Sequence, residues 1–355
     1  MKTITVSAGS LTSGGAERVA SLVSNYLDNK GYKVHFIATY SSEREYKLND
    51  SIEYKFVGNC NWLGKIAVVP RMIKIYRYLR KTNTDVYISF IAVENFLLCK
   101  SKKFKKIFSL RNDPNSSIIL NTYSRRWITL HGFRNADCIV FQTEDARNYF
   151  EEKIRAKGRI IYNPISPNLP YWKDYEHEKT IVTACRLEPQ KNLKMMIDAF
   201  ALFVAKHPEY KLKIFGVGML RDSLATYIEK KGLNDCVALC GRSDKIFDEY
   251  VRSEIFALSS DFEGISNSML EALAIGIPVV CTDCPCGGAM TFIENYTNGI
   301  LTKVGDTEEF ANALCRMADD EKLREKVSNN SVKIREILDV ETICSKWQEL
   351  VEEES

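Results

Sequence analysis

The chain has 355 residues, of which 45% are hydrophobic and 27% charged. This composition excludes a largely disordered chain and favours two domains of roughly 150–200 residues each. The formal net charge is +3, but residues 1–170 hold 27 basic and 14 acidic side chains, whereas residues 171–355 hold 22 and 32. The basic half predicts an anionic partner.

Strand-like apolar runs alternate with helix-like stretches along the chain, which predicts parallel α/β layers. Residues 163–179 contain three prolines and no periodicity, and we expect a linker there. The tail from Asp320 to Ser355 is predicted to be helical throughout. The predicted strands are Thr3–Ser7, Lys33–Thr39, Ile52–Val57, Asp85–Phe90, Lys106–Leu110, Asp137–Gln142, Arg159–Tyr162, Thr180–Ala184, Lys211–Gly216, Cys236–Leu239, Ile255–Leu258 and Pro278–Thr282.

The sequence predicts a cytoplasmic protein. It has no apolar run of the roughly 20 residues that a membrane-spanning helix needs, and its first residues resemble a strand rather than a secretion signal. Its 11 cysteines are odd in number and unevenly spaced, which favours buried free thiols in a reducing compartment. Cys281, Cys284 and Cys286 form a cluster that could hold a metal, but no second pair stands at zinc-finger spacing, so we expect none.

Gly14 and Gly15 follow the first predicted strand and open a helix. Glycines there let backbone amides approach a phosphate, and the helix N-terminus adds partial positive charge. The alternative is an ordinary turn that needs small residues. The pattern is neither G-x-G-x-x-G nor a Walker loop, which disfavours a dinucleotide or ATP site.

Arg186 and Lys191 follow the predicted strand Thr180–Ala184 and precede a helix. Two cations at the carboxyl end of a strand suit a departing diphosphate, whose charge grows in the transition state. The alternative is a solvated loop in which Asn192 caps the next helix.

Glu263 and Glu271 lie eight positions apart, the first on a loop and the second about one turn inside a predicted helix from Ser268 to Ile275. Both carboxylates could face one ligand, with helix-start amides between them, in a cradle for a sugar and a phosphate. The alternative is two unrelated surface charges.

These elements resemble glycosyltransferase family 4, a group of retaining enzymes of bacterial surface-polysaccharide type among others. Glu263 and Glu271 match its E-x7-E signature, Arg186 and Lys191 its R-x4-K donor site, and residues 14–18 its N-terminal glycine loop. Weaker matches are residues 109–114, residues 161–165 and residues 287–301.

The resemblance implies an α/β fold of GT-B type, in which two Rossmann-like domains face each other across a cleft. Residues 1–165 would form the acceptor domain and residues 166–335 the donor domain. Residues 336–355 would form a C-terminal helix that crosses back to the N-terminal domain. The implied activity is retaining, metal-independent hexosyl transfer from a nucleotide sugar, expected to be a UDP-sugar, with no cofactor.

The resemblance also implies residue roles. Arg186 and Lys191 would hold the diphosphate, Glu263 would contact and orient the transferred sugar, and Glu271 would bond the ribose. The remaining implied donor-binding residues are Gly14, Gly15, Gly264, Ser266, Asn267 and Ser268. A histidine common in the N-terminal domain of the family is missing here, and Glu94, Asn95 or Arg111 are candidates for the acceptor side.

A basic amphipathic helix is predicted within residues 65–81, and a polybasic cluster at Lys100–Lys106 follows it. Together they predict attachment to an anionic membrane surface, with each basic residue contributing about 1 kcal/mol. We expect that neutralising Lys102, Lys103, Lys105 and Lys106 weakens binding to vesicles. The alternative is the solvated face of an ordinary helix. No nucleic-acid-binding motif is present, so no nucleic-acid partner is expected.

The leading hypothesis is transfer of a hexose or N-acetylhexosamine to a lipid-linked or surface-glycan acceptor. The alternative is a non-catalytic subunit of the same fold that binds sugar or stabilises a partner. The presence of Arg186, Lys191 and both glutamates favours the enzyme. Because Lys191 and Glu263 are predicted to lie on loops, their replacement by alanine is expected to abolish transfer and leave folding intact.

Overall fold

The computed structural model describes residues 1–12, 14–58, 68–91, 95, 101–115 and 123–354. The chain divides into two compact units. The N-terminal unit is Met1–Pro164 together with Val340–Ser355, and the C-terminal unit is Ile165–Asp339. The first boundary lies one residue before the predicted one, and the second lies four residues after it.

The described part of the N-terminal unit is built on a seven-stranded parallel sheet in the order β3-β2-β1-β4-β5-β6-β7. Its central strand, β4, is buried along its whole length, as expected for a parallel sheet covered on both faces. The strands are β1 (Thr3–Ala8), β2 (Lys33–Ala38), β3 (Glu53–Phe56), β4 (Val86–Ser89), β5 (Lys105–Ser109), β6 (Cys138–Phe141) and β7 (Gly158–Ile160).

The helices of the N-terminal unit include one from the far end of the chain. The C-terminal helix (Val340–Glu352) buries Trp347 against Phe90, with ring centroids 5.3 Å apart. Near its end, Lys2 Nζ donates to the carbonyl of Val351 over 2.9 Å, which suits the negative end of a helix dipole. The other helices are α1 (Gly15–Asn29), α2 (Val68–Lys81), α3 (Tyr123–Arg134), α4 (Glu144–Asn148) and α5 (Glu152–Arg155).

The C-terminal unit contains a six-stranded parallel sheet in the order β10-β9-β8-β11-β12-β13. Its strands are β8 (Glu178–Ala184), β9 (Lys211–Phe215), β10 (Val237–Gly241), β11 (Ser253–Leu258), β12 (Val279–Thr282) and β13 (Ile300–Thr302). Its helices are α6 (Leu193–Val204), α7 (Arg221–Lys230), α8 (Ile246–Arg252), α9 (Asn267–Ile275), α10 (Thr307–Asp319), α11 (Glu321–Ser331) and α12 (Ile334–Leu338).

The strand order reverses between β8 and β11, which are hydrogen-bonded neighbours at the middle of this sheet. The chain leaves β8 toward β9 on one side and leaves β11 toward β12 on the other. Loops that diverge at such a point open a crevice at the carboxyl ends of the strands, where open α/β sheets bind ligands. The loops that contain Lys191 and Glu263 both start there.

The predicted fold class is confirmed as two α/β units with parallel sheets, and each predicted strand overlaps an observed one. The prediction missed β13, because three residues are too short to show periodicity. The prediction of a tail that is helical throughout is wrong. The tail forms three helices, and Asp339 has an extended backbone (φ −61°, ψ 157°) that ends α12 before the C-terminal helix begins.

Candidate active site

The first loop of the site follows β8 and contains Arg186 and Lys191. Residues Pro189–Lys191 form a single 3-10 turn, and Asn192 then takes a left-handed backbone conformation with φ 42°. The Asn192 side chain accepts a hydrogen bond from the amide of Met195 over 3.4 Å and so caps α6. The loop is therefore anchored to β8 at one end and to a capped helix at the other.

Lys191 is buried, with 8% of its surface exposed. Its ammonium group contacts Oε1 of Glu263. Burial lowers the pKa of Lys191 from its ordinary value. The pair forms a compact ionic centre between the two loops.

Glu263 lies on the second loop, which follows β11, and its side chain is 14% exposed. Oε1 also accepts from Ser260 Oγ over 3.1 Å, and Oε2 accepts from Gln190 Nε2 over 3.2 Å. The backbone amide of Glu263 donates to the carbonyl of Pro285 over 3.1 Å. Both carboxylate oxygens therefore have protein donors, so the orientation of the group is fixed.

Of the two cations on the first loop, Arg186 is the exposed one, with a side chain that is 60% exposed. It forms an ion pair with Glu188 at 2.9 Å, and its Nη2 lies 3.5 Å from Oε1 of Gln190. Arg186 is thus connected to the centre formed by Lys191 and Glu263 through Gln190, which also bonds to Glu263. It can neutralise a solvent-facing anion with little cost in desolvation.

Glu271 lies in the second turn of α9 and is buried, with 7% of its surface exposed. Its Oε1 accepts a hydrogen bond from Ser166 Oγ over 2.9 Å. Ser266 precedes the helix and its hydroxyl lies 3.0 Å from that of Ser268, while Asn267 begins α9. Because the first amides of a helix have no partner within the helix, this turn can bind a polar ligand beside Glu271.

Gly288 lets a neighbouring segment approach the second loop closely at the backbone of Gly264. A Cβ added to Gly288 would lie 1.7 Å from the carbonyl oxygen of Gly264. Only a glycine at position 288 therefore allows this segment to pack against the second loop.

Sequence reasoning missed Gln190 and Ser166, which donate hydrogen bonds to Glu263 and Glu271 respectively. Gln190 occupies an unspecified position within R-x4-K, and Ser166 lies in a segment for which the sequence predicts only a linker. The alternation of residues gives no signal for either contact, because both depend on segments far apart in the sequence.

Gly14 and Gly15 lie at the start of α1 in the N-terminal unit. The carboxylate of Glu17 folds back onto this turn, so that a Cβ added to Gly14 would lie 2.1 Å from Glu17 Oε2. The helix N-terminus thus already has an acidic side chain beside it. The predicted phosphate contact of Gly14 and Gly15 stays a prediction.

Of the acceptor-side candidates, Glu94 lies outside the described residues. Asn95 is fully buried and donates to the carbonyl of Ile91 over 2.6 Å. The guanidinium carbon of Arg111 lies 5.3 Å from the ring centroid of Phe90 and 5.2 Å from that of Trp347. Burial lowers the pKa of Arg111 to about 9. The predicted contact of these residues with an acceptor stays a prediction.

The polybasic cluster is only partly as predicted. Lys102 and Lys103 are exposed, but Lys105 and Lys106 are buried in β5. Lys105 Nζ donates to the carbonyl of Glu353 over 2.6 Å, and Lys106 pairs with Asp137 at 3.1 Å. The prediction that Lys105 and Lys106 face a membrane is therefore wrong, because both ammonium groups are used inside the unit.

The basic helix α2 does present an exposed face. Val69 and Ile73 are 48% and 39% exposed, and the neighbouring basic residues Arg77, Arg80 and Lys81 are exposed as well. Arg71 of the same helix is not part of this face, since it is buried with its guanidinium carbon 5.1 Å from the ring centroid of Tyr40. Among the residues that the structure describes, no helix is both long enough and apolar enough to cross a bilayer.

Cys281, Cys284 and Cys286 are buried and form no disulfide in the part of the chain that the structure describes. Burial raises the pKa of Cys284 to about 12, which keeps it protonated and a poor metal ligand at neutral pH. Within the described ranges, no three histidine, cysteine or acidic side chains are arranged to hold a metal ion.

Two family models match the chain in succession. The model described as glycosyltransferase family 4 matches residues 13–169, and the model described as glycosyl transferases group 1 matches residues 170–334.

Several relatives and a solved structure also match this chain over nearly its whole length. A relative from Campylobacter jejuni, named N-acetylgalactosamine-N,N'-diacetylbacillosaminyl-diphospho-undecaprenol 4-alpha-N-acetylgalactosaminyltransferase, is 26% identical over 91% of this chain and 92% of its own. The amylovoran biosynthesis glycosyltransferase AmsD of Erwinia amylovora is 24% identical over 97% of each chain. The structure of Anabaena HepE in complex with UDP is similar in fold, with a TM-score of 0.80, 19% identity and 99% coverage of both chains.

The two family models together span nearly the whole chain, in the order of its two α/β units, and its relatives include enzymes of polysaccharide biosynthesis. The chain therefore belongs to the glycosyltransferases of the GT-B fold that these two families describe.

Proposed function

We propose that this protein is a retaining glycosyltransferase that moves a hexose or an N-acetylhexosamine from a UDP-sugar to a lipid-linked or surface-glycan acceptor. The observation that supports this most is the joining of Lys191 and Glu263 across two loops at the switch point of the C-terminal sheet. The names of two relatives, which describe alpha transfer to a diphospho-undecaprenol-linked sugar and to poly(glycerol phosphate), agree with it.

Lys191 and Arg186 are proposed to neutralise the diphosphate of the donor. When the bond between the anomeric carbon and the phosphate oxygen breaks, negative charge collects on the departing UDP. A fixed cation nearby stabilises that charge more in the transition state than in the ground state, which is what lowers the barrier. Two cations supply the neutralisation that a divalent metal supplies in other transferases, so we propose that transfer requires no metal.

The acceptor hydroxyl is proposed to attack the anomeric carbon on the face that the diphosphate leaves. The new bond joins the acceptor oxygen to the anomeric carbon, the bond to the phosphate oxygen breaks, and the hydroxyl proton passes to an oxygen of the departing diphosphate. This route retains the anomeric configuration and needs no protein base. Glu263 is proposed to bond hydroxyls of the transferred sugar, and Glu271 those of the ribose.

Purified protein tests this function with UDP-glucose, UDP-galactose, UDP-N-acetylglucosamine and UDP-N-acetylgalactosamine. We expect one of them to raise the melting temperature most and to release UDP in the presence of EDTA, and we expect an alpha-linked product by NMR. Binding without UDP release from any donor, with water or glycans as acceptor, would favour a non-catalytic subunit. A beta-linked product or a strict need for Mg²⁺ would contradict the mechanism.

We also propose peripheral attachment to the inner face of the plasma membrane through α2. Exposed apolar Val69 and Ile73 beside exposed Arg77, Arg80 and Lys81 form a surface that suits anionic lipid headgroups.

Vesicles that contain phosphatidylglycerol test this attachment. Replacing Arg77, Arg80 and Lys81 together by glutamine is expected to weaken the free energy of binding to these vesicles by roughly 3 kcal/mol at low salt. The matched control replaces three exposed lysines of the C-terminal unit, Lys230, Lys322 and Lys326. Binding that is independent of salt, or equally reduced in the control, would contradict the electrostatic part.

A further inference from the structure

Hydrogen bonds join the loop after β8 to the loop after β11, the two loops of the proposed donor site. The bonds described first do not involve the side chains of Arg186, Lys191 or Glu263. The amide of Asp261 donates to the carbonyl of Gln190 over 2.9 Å, and Asn192 Nδ2 donates to Asp261 Oδ1 over 2.7 Å. Ser259 Oγ donates to the carbonyl of Lys191 over 2.8 Å. The backbone of the first loop is thus held in register with that of the second.

Gln190 is the residue that extends this connection to the reacting groups. Its Nε2 donates to the carbonyl of Phe262 over 2.7 Å and to Glu263 Oε2 over 3.2 Å. Its Oε1 lies 3.5 Å from Nη2 of Arg186. The side chain is buried, so these bonds are shielded from competing water. One amide therefore touches a residue from each of the two predicted motifs.

The two oxygens of Glu263 depend on different partners. Oε1 contacts Lys191 and accepts from Ser260, whereas Oε2 accepts from Gln190. If Lys191 turns toward a diphosphate, Oε1 loses its ionic partner. The hydrogen bonds from Gln190 and Ser260 then remain to hold the carboxylate toward the sugar.

We propose that Gln190 is a positioning residue of the donor site: its amide fixes the carboxylate of Glu263 while Lys191 exchanges that carboxylate for the diphosphate. This inference rests on the proposed function. The proposed role also explains why residue 190 is an amide and not an acid. An ionised glutamate there has no hydrogen to donate, and its oxygen would face the Phe262 carbonyl and the Glu263 carboxylate, which are both acceptors.

Two variants test the inference with the UDP-sugar that releases most UDP. Gln190→Met keeps the length of the side chain and removes both hydrogen bonds. We expect its kcat to fall about 10- to 100-fold, with the affinity for UDP within about threefold of wild type, because Gln190 is not proposed to touch the nucleotide. Gln348→Met in the C-terminal helix, where Gln348 donates to Glu352 over 2.8 Å, is the matched control.

Gln190→Glu supplies a readout that a purely structural role would not give. We expect its activity to be lowest at pH 8 and to recover toward the Gln190→Met level or above as the pH falls to about 5.5, because the protonated acid again offers a donor. Wild type and Gln190→Met should not show this recovery. Unchanged kcat in Gln190→Met, equal losses in kcat and UDP affinity, or a Gln190→Glu pH profile like that of wild type would each overturn the inference.

Glu263→Gln separates the two levels of failure. If Glu263→Gln is inactive and the Gln190 variants behave as wild type, the positioning role is wrong while the proposed function stands. If Glu263→Gln retains full activity, the role proposed for Glu263 is wrong and the inference fails with it. If the wild-type protein releases UDP from none of the UDP-sugars, the proposed function itself fails.

Discussion

The polar groups at the donor loops of the C-terminal unit contrast with those at the corresponding sheet edge of the N-terminal unit. In the C-terminal unit, Lys191, Glu263 and Glu271 bond to other side chains of the same unit. In the described part of the N-terminal unit, Arg111 Nε and Nη2 and Gln142 Oε1 are buried with no hydrogen-bond partner within the protein.

This contrast shows where each unit is specialised. A buried polar atom without a partner costs roughly 1–3 kcal/mol, so a unit that keeps several of them gives up stability at that edge. The loops after β8 and β11 do not bear this cost at Glu263 and Glu271, since both carboxylates accept hydrogen bonds from other side chains. The carboxylates at the loops after β8 and β11 are thus oriented by the protein itself, whereas the Arg111 guanidinium at the sheet edge of the N-terminal unit packs on Phe90 and Trp347.

The largest effect is expected from Lys191→Gln and Glu263→Gln. Each removes one half of a buried ion pair that is proposed to act directly on the donor. We expect turnover to fall about 10²- to 10³-fold or more, and we also expect a lower melting temperature, because a buried charge is left without its counter-ion. The burial of both residues changes the expectation from sequence that folding would be unaffected.

Arg186→Gln makes the same change at the exposed cation. We expect its turnover to fall as well, whereas its melting temperature should stay within about 1 °C of that of the wild type, because an exposed ion pair contributes little stability. Equal destabilisation by Arg186→Gln and Lys191→Gln would show that burial is not what distinguishes the two cations.

Arg111→Met tests the sheet edge of the N-terminal unit. We expect the free energy of unfolding in urea to rise by about 1 kcal/mol, because the variant removes the cost of burying Nε and Nη2 without partners. This gain outweighs the lost stack with Phe90 and Trp347 and the lost bond from Nη1 to Asn163 Oδ1 over 3.0 Å. The affinity for UDP should not change. A lower free energy of unfolding in Arg111→Met would contradict the cost assigned to the two unpaired atoms, and a tenfold fall in UDP affinity would show that Arg111 acts on the nucleotide.

Ser166→Ala is expected to have the smallest effect. Loss of the hydrogen bond to Glu271 should weaken UDP binding about five- to tenfold, measured by calorimetry. Ser223→Ala, which removes an exposed hydroxyl that donates to the Leu220 carbonyl over 2.8 Å, is the control. An unchanged affinity in Ser166→Ala would remove Ser166 from the donor site.

Much of the fold could be predicted from the sequence, because parallel strands buried on both faces leave long apolar runs such as those at β1 and β11. The positions of Arg186, Lys191, Glu263 and Glu271 followed from motifs at the ends of such runs. The bonds of Gln190 and the burial of Lys105 could not be predicted, since they depend on contacts with Phe262 and Glu353 far along the chain. The charge of Lys105 predicts contact with a lipid surface, but in the fold its ammonium group donates to a backbone carbonyl at the end of the C-terminal helix.

The most direct test of the central claim is a crystal structure of the protein with UDP bound. We predict diphosphate oxygens within about 3 Å of Lys191 Nζ and of the Arg186 guanidinium, and ribose hydroxyls at the same distance from the carboxylate of Glu271. The contact between Lys191 and Glu263 should be broken, and the bond from Gln190 to Glu263 kept. UDP bound away from the loops after β8 and β11, or bound there with the Lys191–Glu263 contact intact, would contradict the account.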